Sequence, residues 1–509
     1  MKTVVVRHAA MLRRGFLMLA LAALAGCAAT PISSERQLTG EEGAVVFKLV
    51  TNGTSMADPT ETLSTVLIRR ERPEGERELS GDAVSLVRTR AQTSTTMVFS
   101  GRVQPGKYRF VNGVGSHGNT TYTFPLGRML SGFEVKTGEV SLLGTLLVQP
   151  IGTSRFVVGY VPPDPELHET FQQLFPALAA QTEGKPIHTL EMTPELQRRA
   201  EIAPRFKLLP TVLNGHHLSR EGGAYLGGRL GKLMWRPARD QAWRRAELGS
   251  WREVLTVRPY RGGVLAGGEE GLLRHTADDG KTWSRLASPE SGAICALEVM
   301  PGGQLVALVR RDDMWSVHVT GDPVAGPWRK LASFDHERSI NVGWQPAIPF
   351  VSGKRIGVAM PNGSVRLVDV DTGELSGGST GQSLLGIQAL ADGTLVAQSV
   401  AVARTTHMST DGGKTWTDLN TSRFTQAITF RDREVAHAIA PIAPGVLPGP
   451  FGLMTSRDGG RSWSQTGVVP GGSPVRELRI DPSDGALVAV LQEGMLRSTD
   501  EGKSWAKDL

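Results

Sequence analysis

The chain has 509 residues, of which 40% are hydrophobic and 21% charged, and its formal net charge at pH 7 is +6. Four basic residues and no acidic ones lie among the first 26 positions, so the net charge falls to +2 without that segment. This near-neutral balance gives no support for a nucleic-acid partner. The length is sufficient for two domains with separate cores.

The first 26 residues have the features of an export signal. Arg13 and Arg14 precede an apolar run, residues 15–24, that is too short for a membrane-spanning helix. The run leads into Ala25-Gly26-Cys27, and with Leu24 this resembles the bacterial lipobox. The resemblance implies cleavage before Cys27 and diacylation of that residue. Because Ala28 follows the cysteine, it also implies attachment to the bacterial outer membrane through this lipid, facing the periplasm.

An ordinary signal peptide, in which Cys27 occurs by chance, is the alternative. Met11 is a second candidate start, since residues 11–26 alone have the layout of a lipoprotein leader. Residues 27–40 are rich in Ser, Thr, Pro and Gln after the cysteine and are predicted to form a tether. With Cys27 lipidated, no intramolecular disulfide is available, and we expect the second cysteine, Cys295, to be a small core residue.

Residues 41–162 are predicted to form a small β-sandwich. Seven or so short segments rich in Val, Ile, Leu and Phe alternate with polar turns, which is typical of that architecture. The segment 99–110, with a Pro105-Gly106 turn, is similar to a hairpin of small periplasmic sandwich domains. The likeness implies a prealbumin- or immunoglobulin-like accessory domain without activity.

Residues 163–204 are predicted to form a helical connector. Asp164-Pro-Glu166 and Thr193-Pro-Glu195 each place an N-cap residue, a proline and an acid at the start of a helix. The predicted helices cover residues 165–181 and 194–203.

From residue 205 to residue 509 the tryptophans recur at a regular interval. Successive distances are 40 and 45 residues along Trp243, Trp283 and Trp328, and 47 and 42 along Trp416, Trp463 and Trp505. The gap between the two groups is 88 residues, or two units. Each unit contains four short strand-like segments with Gly-rich turns. The sequence therefore predicts an all-β fold whose main domain, 205–509, is a seven-bladed β-propeller.

Four of these tryptophans end one eight-residue pattern, [ST]-x-D-x-G-x-[ST]-W. Its key residues are Thr276, Asp278, Gly280 and Trp283; Ser409, Asp411, Gly413 and Trp416; Ser456, Asp458, Gly460 and Trp463; and Ser498, Asp500, Gly502 and Trp505. The pattern predicts a hairpin in which the Asp accepts hydrogen bonds from turn amides, the Gly supplies a positive φ and the Trp opens the next strand and is buried. It resembles the Asp-box, or BNR repeat, of sialidases, sortilin-type receptors and the photosystem II assembly propeller. The resemblance implies a structural role.

The same resemblance raises sialidase activity as the enzyme hypothesis. That chemistry needs a Tyr nucleophile beside a carboxylate, an Asp acid/base and three Arg residues. The propeller contains only Tyr225 and Tyr260, both in its first two blades, whereas the family places its tyrosine in a late blade. The expected arginine motif is also missing near the propeller start, where the chain reads Pro204-Arg-Phe206. We therefore assign no catalytic residue.

A glycosidase with two carboxylates stays open as the alternative. Glu269-Glu270, Asp312-Asp313 and Glu493 fall on turns opposite the Asp-boxes, and we interpret them as solvated hairpin residues. His216-His217 has no further ligand at metal-binding spacing and is interpreted as part of a polar hairpin. The Gly-rich segment 227–231 lacks the strand–helix context of a phosphate loop. No metal site and no cofactor are predicted.

The loop 440–450 contains four prolines and the apolar residues Ile442, Val446 and Leu447. Proline restricts the backbone, so this loop can present apolar groups at low entropic cost, and we consider it a candidate contact site. Packing against the β-sandwich of the same chain is the equal alternative. Together the features predict a non-enzymatic outer-membrane lipoprotein whose propeller binds an unidentified protein or glycan of the envelope. The alternative function is a carbohydrate-active enzyme, an Asp-box glycosidase.

Overall fold

The computed structural model divides the chain into two compact units, residues 1–208 and 209–509. The sequence predicted the corresponding boundary at 204/205. The described residues are 32, 37–53, 63–73, 75, 76, 79–89, 95–117, 120–151, 155–209, 211, 213–324, 326–337, 347–400, 404–419, 427–442, 451–470, 475–491 and 494–509. The predicted signal peptide 1–26, Cys27 and most of the predicted tether 27–40 lie outside them.

The first unit contains ten strands joined in one sheet. They are β1 (Gly43–Thr51), β2 (Leu63–Arg70), β3 (Ala83–Arg88), β4 (Thr96–Val103), β5 (Gly106–His117), β6 (Thr120–Phe124), β7 (Phe133–Val135), β8 (Val140–Pro150), β9 (Phe156–Val161) and β10 (Ile187–His188). Their order is β10-β8-β1-β4-β3-β2-β5-β6, with β7 beside β5 and β9 beside β8. β8 runs parallel to β1 and to β10, and the other pairs are antiparallel.

This sheet encloses one apolar core. The ring of Phe47 on β1 lies 5.1 Å from that of Phe110 on β5 and 6.4 Å from that of Phe99 on β4, measured between centroids. A bridge between Phe133 and Leu190 brings β7 next to the segment that follows β10, at the other end of the strand order. The layers of the predicted sandwich thus belong to a single curved sheet, because register shifts in β8, β2 and β5 bend the strands.

The described residues of the first unit also form three α-helices: α1 (Pro165–Leu174) and α2 (Pro176–Gln181) before β10, and α3 (Pro194–Ile202) after it. Asp164 caps α1 and Thr193 caps α3 through their side chains, as their sequence pattern indicates. The helix predicted over 165–181 divides at Phe175, because a residue before proline is disfavoured in the α conformation. In the described part of the chain no helix is both long and apolar enough to cross a bilayer. Short 3-10 helices cover Ser80–Asp82, Leu126–Arg128, Ala203–Leu208 and Glu269–Gly271.

The second unit is a seven-bladed β-propeller, as predicted. Its blades consist of β11 (Leu213–Leu218), β12 (Ala224–Gly228), β13 (Lys232–Arg236) and β14 (Arg244–Glu247); β15 (Val254–Tyr260), β16 (Gly263–Gly268), β17 (Leu273–Thr276) and β18 (Ser284–Arg285); β19 (Ala293–Val299), β20 (Leu305–Arg311), β21 (Met314–Thr320) and β22 (Arg329–Asp335); β23 (Ile348–Ser352), β24 (Arg355–Ala359), β25 (Ser364–Asp369) and β26 (Leu375–Ser379); β27 (Leu384–Ala389), β28 (Leu395–Val400), β29 (Arg404–Ser409) and β30 (Thr417–Leu419); β31 (Ala427–Phe430), β32 (Ala436–Pro441), β33 (Phe451–Ser456) and β34 (Ser464–Val469); and β35 (Glu477–Ile480), β36 (Leu487–Val490), β37 (Met495–Ser498) and β38 (Ala506–Lys507).

Each blade is an antiparallel sheet of four consecutive strands, here called A to D. The A strands of neighbouring blades contact each other and therefore surround the propeller axis. Because strand direction alternates, the A–B and C–D turns lie on one face of the propeller and the B–C turns on the other. Apolar clusters fill the space between blades, as where Trp315 of the third blade packs in one cluster with Ile356 of the fourth. Because the space between the blades is filled, we expect a binding site on one of the two faces of the propeller.

Candidate functional site

A groove of about 780 Å³ lies on the face that carries the A–B and C–D turns, across the first three blades. Tyr225 of the first blade, Pro259 and Tyr260 of the second, and Val299 and Gly302 of the third contribute to its walls. The volume falls within the range of ligand-binding clefts. Both tyrosines of the propeller thus line the same groove, which their positions 35 residues apart in the sequence did not reveal.

Tyr260 ends the A strand of the second blade and is only 4% exposed. Its ring meets that of His275 edge-on, with 6.1 Å between centroids. Among the described residues, neither the Tyr260 hydroxyl nor His275 Nε2 has a hydrogen-bond partner, although both atoms are buried. Burial raises the pKa of Tyr260. A buried polar atom without a partner costs free energy.

Arg261 forms the tip of the turn that follows Tyr260. Its φ of +47° and the +76° of Gly262 describe a tight hairpin turn that is unfavourable for a residue with a side chain. The guanidinium lies over the Tyr260 ring, 5.1 Å from its centroid, and pairs with Asp322 of the third blade at 3.0 Å. The strained turn therefore places a cation over the aromatic wall and joins two blades at the rim of the groove.

Tyr225 of the first blade also lines the groove. It is 4% exposed, and its ring lies 6.0 Å from that of His217. Burial raises the pKa of Tyr225, and the nearby carboxylate of Glu221 raises it further, while Arg244 lowers it. A tyrosine that attacks a substrate needs the opposite effect, a hydroxyl that ionises readily.

The four turns with the pattern [ST]-x-D-x-G-x-[ST]-W, for which the label Asp-box is kept below only as a name of the sequence pattern, repeat one hydrogen-bond network. In the second blade the Thr276 hydroxyl donates to Asp278 Oδ1 at 2.8 Å, and Asp278 accepts from the amide and the hydroxyl of Thr282 at 2.9 and 2.6 Å. The Gly280 amide donates to the Thr276 hydroxyl at 2.8 Å. The same bonds around Asp411, Asp458 and Asp500 involve a leading serine in place of Thr276.

These bonds hold the Asp-box carboxylates in the ionised form. The hydroxyl donor, then the amide, lowers the pKa of Asp278 and of Asp500 to about 2 and lowers that of Asp411 and Asp458 as well. The tryptophans that follow precede the D strands and are half-buried, and Trp416 donates its indole N–H to the Gly413 carbonyl at 3.1 Å. The carboxylates are occupied by their own turns, so they offer little to a substrate.

Each Asp-box glycine lies where its blade packs against a neighbour. Gly280, Gly413, Gly460 and Gly502 have φ between +81° and +85°. A Cβ on Gly280 would collide with the indole of Trp235 in the first blade, and one on Gly502 would collide with Leu453 in the sixth. The glycines therefore allow both the turn and the contact between blades.

The interpretation of Glu269 and Glu270 as solvated turn residues is wrong. They are 1% and 6% exposed, because Glu270 pairs with Arg252 at 2.9 Å and Glu269 accepts the Glu253 amide at 2.8 Å. Glu270 also has a φ of +50°. Sequence reasoning missed these partners because Arg252 and Glu253 lie in the segment between the D strand of the first blade and the A strand of the second. The buried pair holds the B–C turn in place. Asp312 is exposed, and Glu493 lies outside the described residues.

A second constellation that sequence reasoning missed crosses three strands of the fifth blade. His407 Nε2 lies 2.8 Å from the Ser399 hydroxyl, and His407 Nδ1 lies 2.5 Å from Asp418 Oδ1. The three side chains are bonded in the same order as those of a serine-hydrolase triad. The feature that could have indicated this arrangement is the pairing of His407 with Asp418 on the neighbouring strands β29 and β30. Ser399 and His407 are fully buried, however, so a substrate cannot reach the serine. The chain of bonds ties the strands together.

Around the propeller axis, charged side chains of the A strands neutralise each other. Arg258 pairs with Glu298 at 3.1 Å and Arg479 with Glu477 at 2.7 Å. Burial lowers the pKa of His217 to about 2, and the two arginines add to this effect, so this histidine is neutral. The side chain of His216 lies outside the described atoms. Within the described residues no three His, Cys, Asp or Glu side chains are grouped as a metal site.

The predicted contact loop is described only at its beginning. Ile442 follows β32 and is 41% exposed, whereas Val446 and Leu447 lie outside the described residues. Cys295 lies at a bulge in the A strand of the third blade, where it is half-buried and packs against the apolar cluster of the third and fourth blades. Burial raises the pKa of its thiol to about 12.

No family model and no curated protein sequence matches the chain. Its structure is similar to that of YCF48 bound to a D1 peptide, with 18% identity and a TM-score of 0.43 over 56% of this chain and 92% of that one. YCF48 from Cyanidioschyzon merolae has 15% identity and a TM-score of 0.42, covering 56% and 94%. The Cps50 (Swd1) β-propeller domain of Myceliophteria thermophila has 13% and 0.39, covering 55% and 94%. At these identities and scores the likeness assigns no function.

Proposed function

We propose that the protein is a non-enzymatic binding protein of the bacterial envelope, held at the outer membrane by a lipid on Cys27, whose propeller binds a protein or a glycan. The observation that carries the binding role is the groove across the first three blades. It has the volume of a ligand site. A propeller offers such a groove on a rigid scaffold.

The same side chains argue against the glycosidase alternative. Tyr225 and Tyr260 are buried and have raised pKa values, so neither is prepared to attack a sugar. The Asp-box carboxylates are engaged by their own turns, and Glu270 is engaged by Arg252. These groups stabilise turns, which supports a role in binding without chemistry.

The test of the non-enzymatic role uses purified protein from residue 28 onward. It is incubated with a fluorogenic sialoside and with a panel of nitrophenyl glycosides at pH 5 to 8, and we expect no release above a buffer blank. Turnover by the wild type that disappears in a Tyr225→Phe or Glu270→Gln variant of normal melting temperature would overturn the proposal.

The anchor is tested separately on the full chain. Its support is the Leu24-Ala-Gly-Cys27 sequence behind a short apolar run. Cells fed labelled palmitate should label the wild type and not a Cys27→Ser variant, and the variant should move from the detergent phase to the aqueous phase. A serine variant that keeps the label contradicts lipidation at Cys27, and a Cys295→Ser variant, expected to keep the label, is the matched control.

A further inference from the structure

The first unit packs the chain against itself soon after the predicted lipidation site. Ile32 and Leu38 are each 7% exposed. Both belong to an apolar cluster, here called the outer cluster, that includes Val46 of β1 and Phe171 of α1. Leu38 is also held through its main chain, because its amide donates to Gln181 Oε1 at 2.7 Å and its carbonyl accepts from Gln181 Nε2 at 3.0 Å. These two residues of the predicted tether are therefore part of the packed unit.

The outer cluster and the main core of the unit lie on opposite sides of strand β1. Side chains alternate along a strand, so Val46 packs in the outer cluster while Phe47 packs in the main core with Leu196 of α3. Helices α1 and α2 contribute Phe171 and Leu178 to the outer cluster. Helices α1 and α2 therefore lie on the opposite side of β1 from α3.

The chain between the anchor and the outer cluster is short, because only residues 28–31 separate Cys27 from Ile32. Even when fully extended, this chain spans at most about 18 Å. A doubly acylated cysteine is held stably at the bilayer surface. We therefore propose that the lipid on Cys27 holds the first unit against the bilayer, with the face formed by α1 and α2 toward the phospholipid headgroups. The inference rests on the anchor proposed above and names the surface that this anchor brings to the membrane.

The solvent side of α1 and α2 is suited to a position beside headgroups. Four residues of these two helices are exposed, and none of them is charged: Pro165, Gln172, Pro176 and Ala180. Uncharged side chains lose less hydration free energy than ions do when another surface approaches. Helix α3 differs, because its exposed residues include Glu195, Arg198 and Glu201.

The charges near this face are few and of both signs. Glu166 of α1 pairs with the buried Lys48 of β1 at 3.7 Å. Glu169 is half-buried, and Glu183 and Lys185 in the turn after α2 are exposed. These three glutamates and two lysines sum to a single negative charge, so an anionic leaflet does not attract the face. The lipid and the short chain, rather than charge, are therefore what hold it at the membrane.

The experiment measures energy transfer from a donor dye on the protein to an acceptor dye on lipid headgroups. The full chain is produced in bacteria, so that it can be processed and acylated, and is reconstituted into vesicles of phosphatidylethanolamine and phosphatidylglycerol. Gln172→Cys on α1 and Gln197→Cys on α3 place the donor at two matched, exposed glutamine positions in a Cys295→Ser background. We expect transfer to be roughly twofold more efficient from position 172, because packed layers of about 10 Å each separate the two helices.

A second variant tests whether the short chain sets this orientation. An insertion of about twelve Gly and Ser residues between Ala29 and Thr30 adds up to about 40 Å of reach. We expect the efficiency from position 172 to fall toward that from position 197, while the palmitate label and the melting temperature stay unchanged.

The palmitate label separates the orientation from the anchor. Equal transfer from positions 172 and 197 in a labelled protein would overturn the proposal and leave the anchor in place. Transfer from position 172 that the insertion does not change would also overturn it, because the short chain would then not hold this face at the membrane. A wild type without the label would defeat the anchor and, with it, this proposal.

Discussion

Arg236 of the first blade and Asp508 of the last form a two-point ion pair, with N–O distances of 2.7 and 3.2 Å. The Arg236 guanidinium also lies 5.0 Å from the ring centroid of Trp243, whose indole N–H donates to the Asp508 carbonyl at 2.6 Å. Every blade takes its four strands from consecutive sequence, so no shared strand closes the ring. These polar contacts, together with an apolar cluster containing Leu226 and Val488, close it instead.

The first prediction concerns this closure. The side chains of Arg236 and Asp508 are only 8% and 11% exposed, so Asp508→Ala leaves a buried cation without its anion. We expect a loss of about 3–5 kcal/mol in the free energy of unfolding, measured by urea denaturation. The matched control is Asp371→Ala, which removes the partner of Lys354 in an exposed pair and should change little. Equal effects of the two substitutions would show that the buried pair does not close the ring.

The second prediction concerns the Asp-box glycine. Gly280→Ala imposes a left-handed φ on a residue with a side chain and also displaces the indole of Trp235. We expect it to cost about 2–4 kcal/mol, of which about 1 kcal/mol is backbone strain. Gly393→Ala is the control, because its φ is +84° but a Cβ there meets nothing within 4 Å. If urea denaturation gave the same loss for both, the glycine would serve the turn alone and not the contact between blades.

The third prediction concerns pH. The pKa values of Asp278 and Asp500 are lowered to about 2 by their turn hydroxyls and amides, against about 3.9 for aspartate in an unfolded chain. Between these values the unfolded state binds more protons, so the stability from these carboxylates is present above pH 4 and is lost as pH falls toward 2. The stability difference between the wild type and an Asp278→Asn/Asp500→Asn variant should therefore shrink from pH 5 to pH 2, as measured by chemical denaturation. A constant difference would contradict the assignment.

Much of the fold was predictable because its signal is periodic. The recurring tryptophans gave the number of blades, and the prolines after Asp164 and Thr193 gave the helix starts. The division of the first predicted helix at Phe175 was not foreseen, although Pro176 carried the signal. Local chemistry of this kind depends on neighbours in the chain, which a sequence displays directly.

The candidate groove was less predictable because its parts meet through blade packing. Tyr260 and Tyr225 were noted only for their unsuitable position in a sialidase, and Gly302 carried no pattern at all. Glu270 is likewise buried because it pairs with Arg252. The B–C turn brings the two residues together, and their spacing in the sequence does not indicate the contact. Contacts between separate hairpins are set by tertiary structure, so single residues in turns gave no warning of them.

The last prediction concerns the buried chain of Ser399, His407 and Asp418. Because His407 is fully buried and bonded at both ring nitrogens, His407→Ala removes packing. It also removes one partner of the Ser399 hydroxyl, which keeps Gln382 Oε1 at 2.8 Å and the Thr405 carbonyl at 3.3 Å. We expect a loss of about 2–4 kcal/mol in urea denaturation. His275→Ala, in the C strand of the second blade, is the control, because that ring is half-buried and its Nε2 has no partner among the described residues; it should cost less.

In nitrophenyl acetate hydrolysis, Ser399→Ala should match the wild type, since no ester can reach a fully buried serine. Hydrolysis by the wild type that Ser399→Ala abolishes at unchanged stability would show that the blade opens and that these three residues form a working triad.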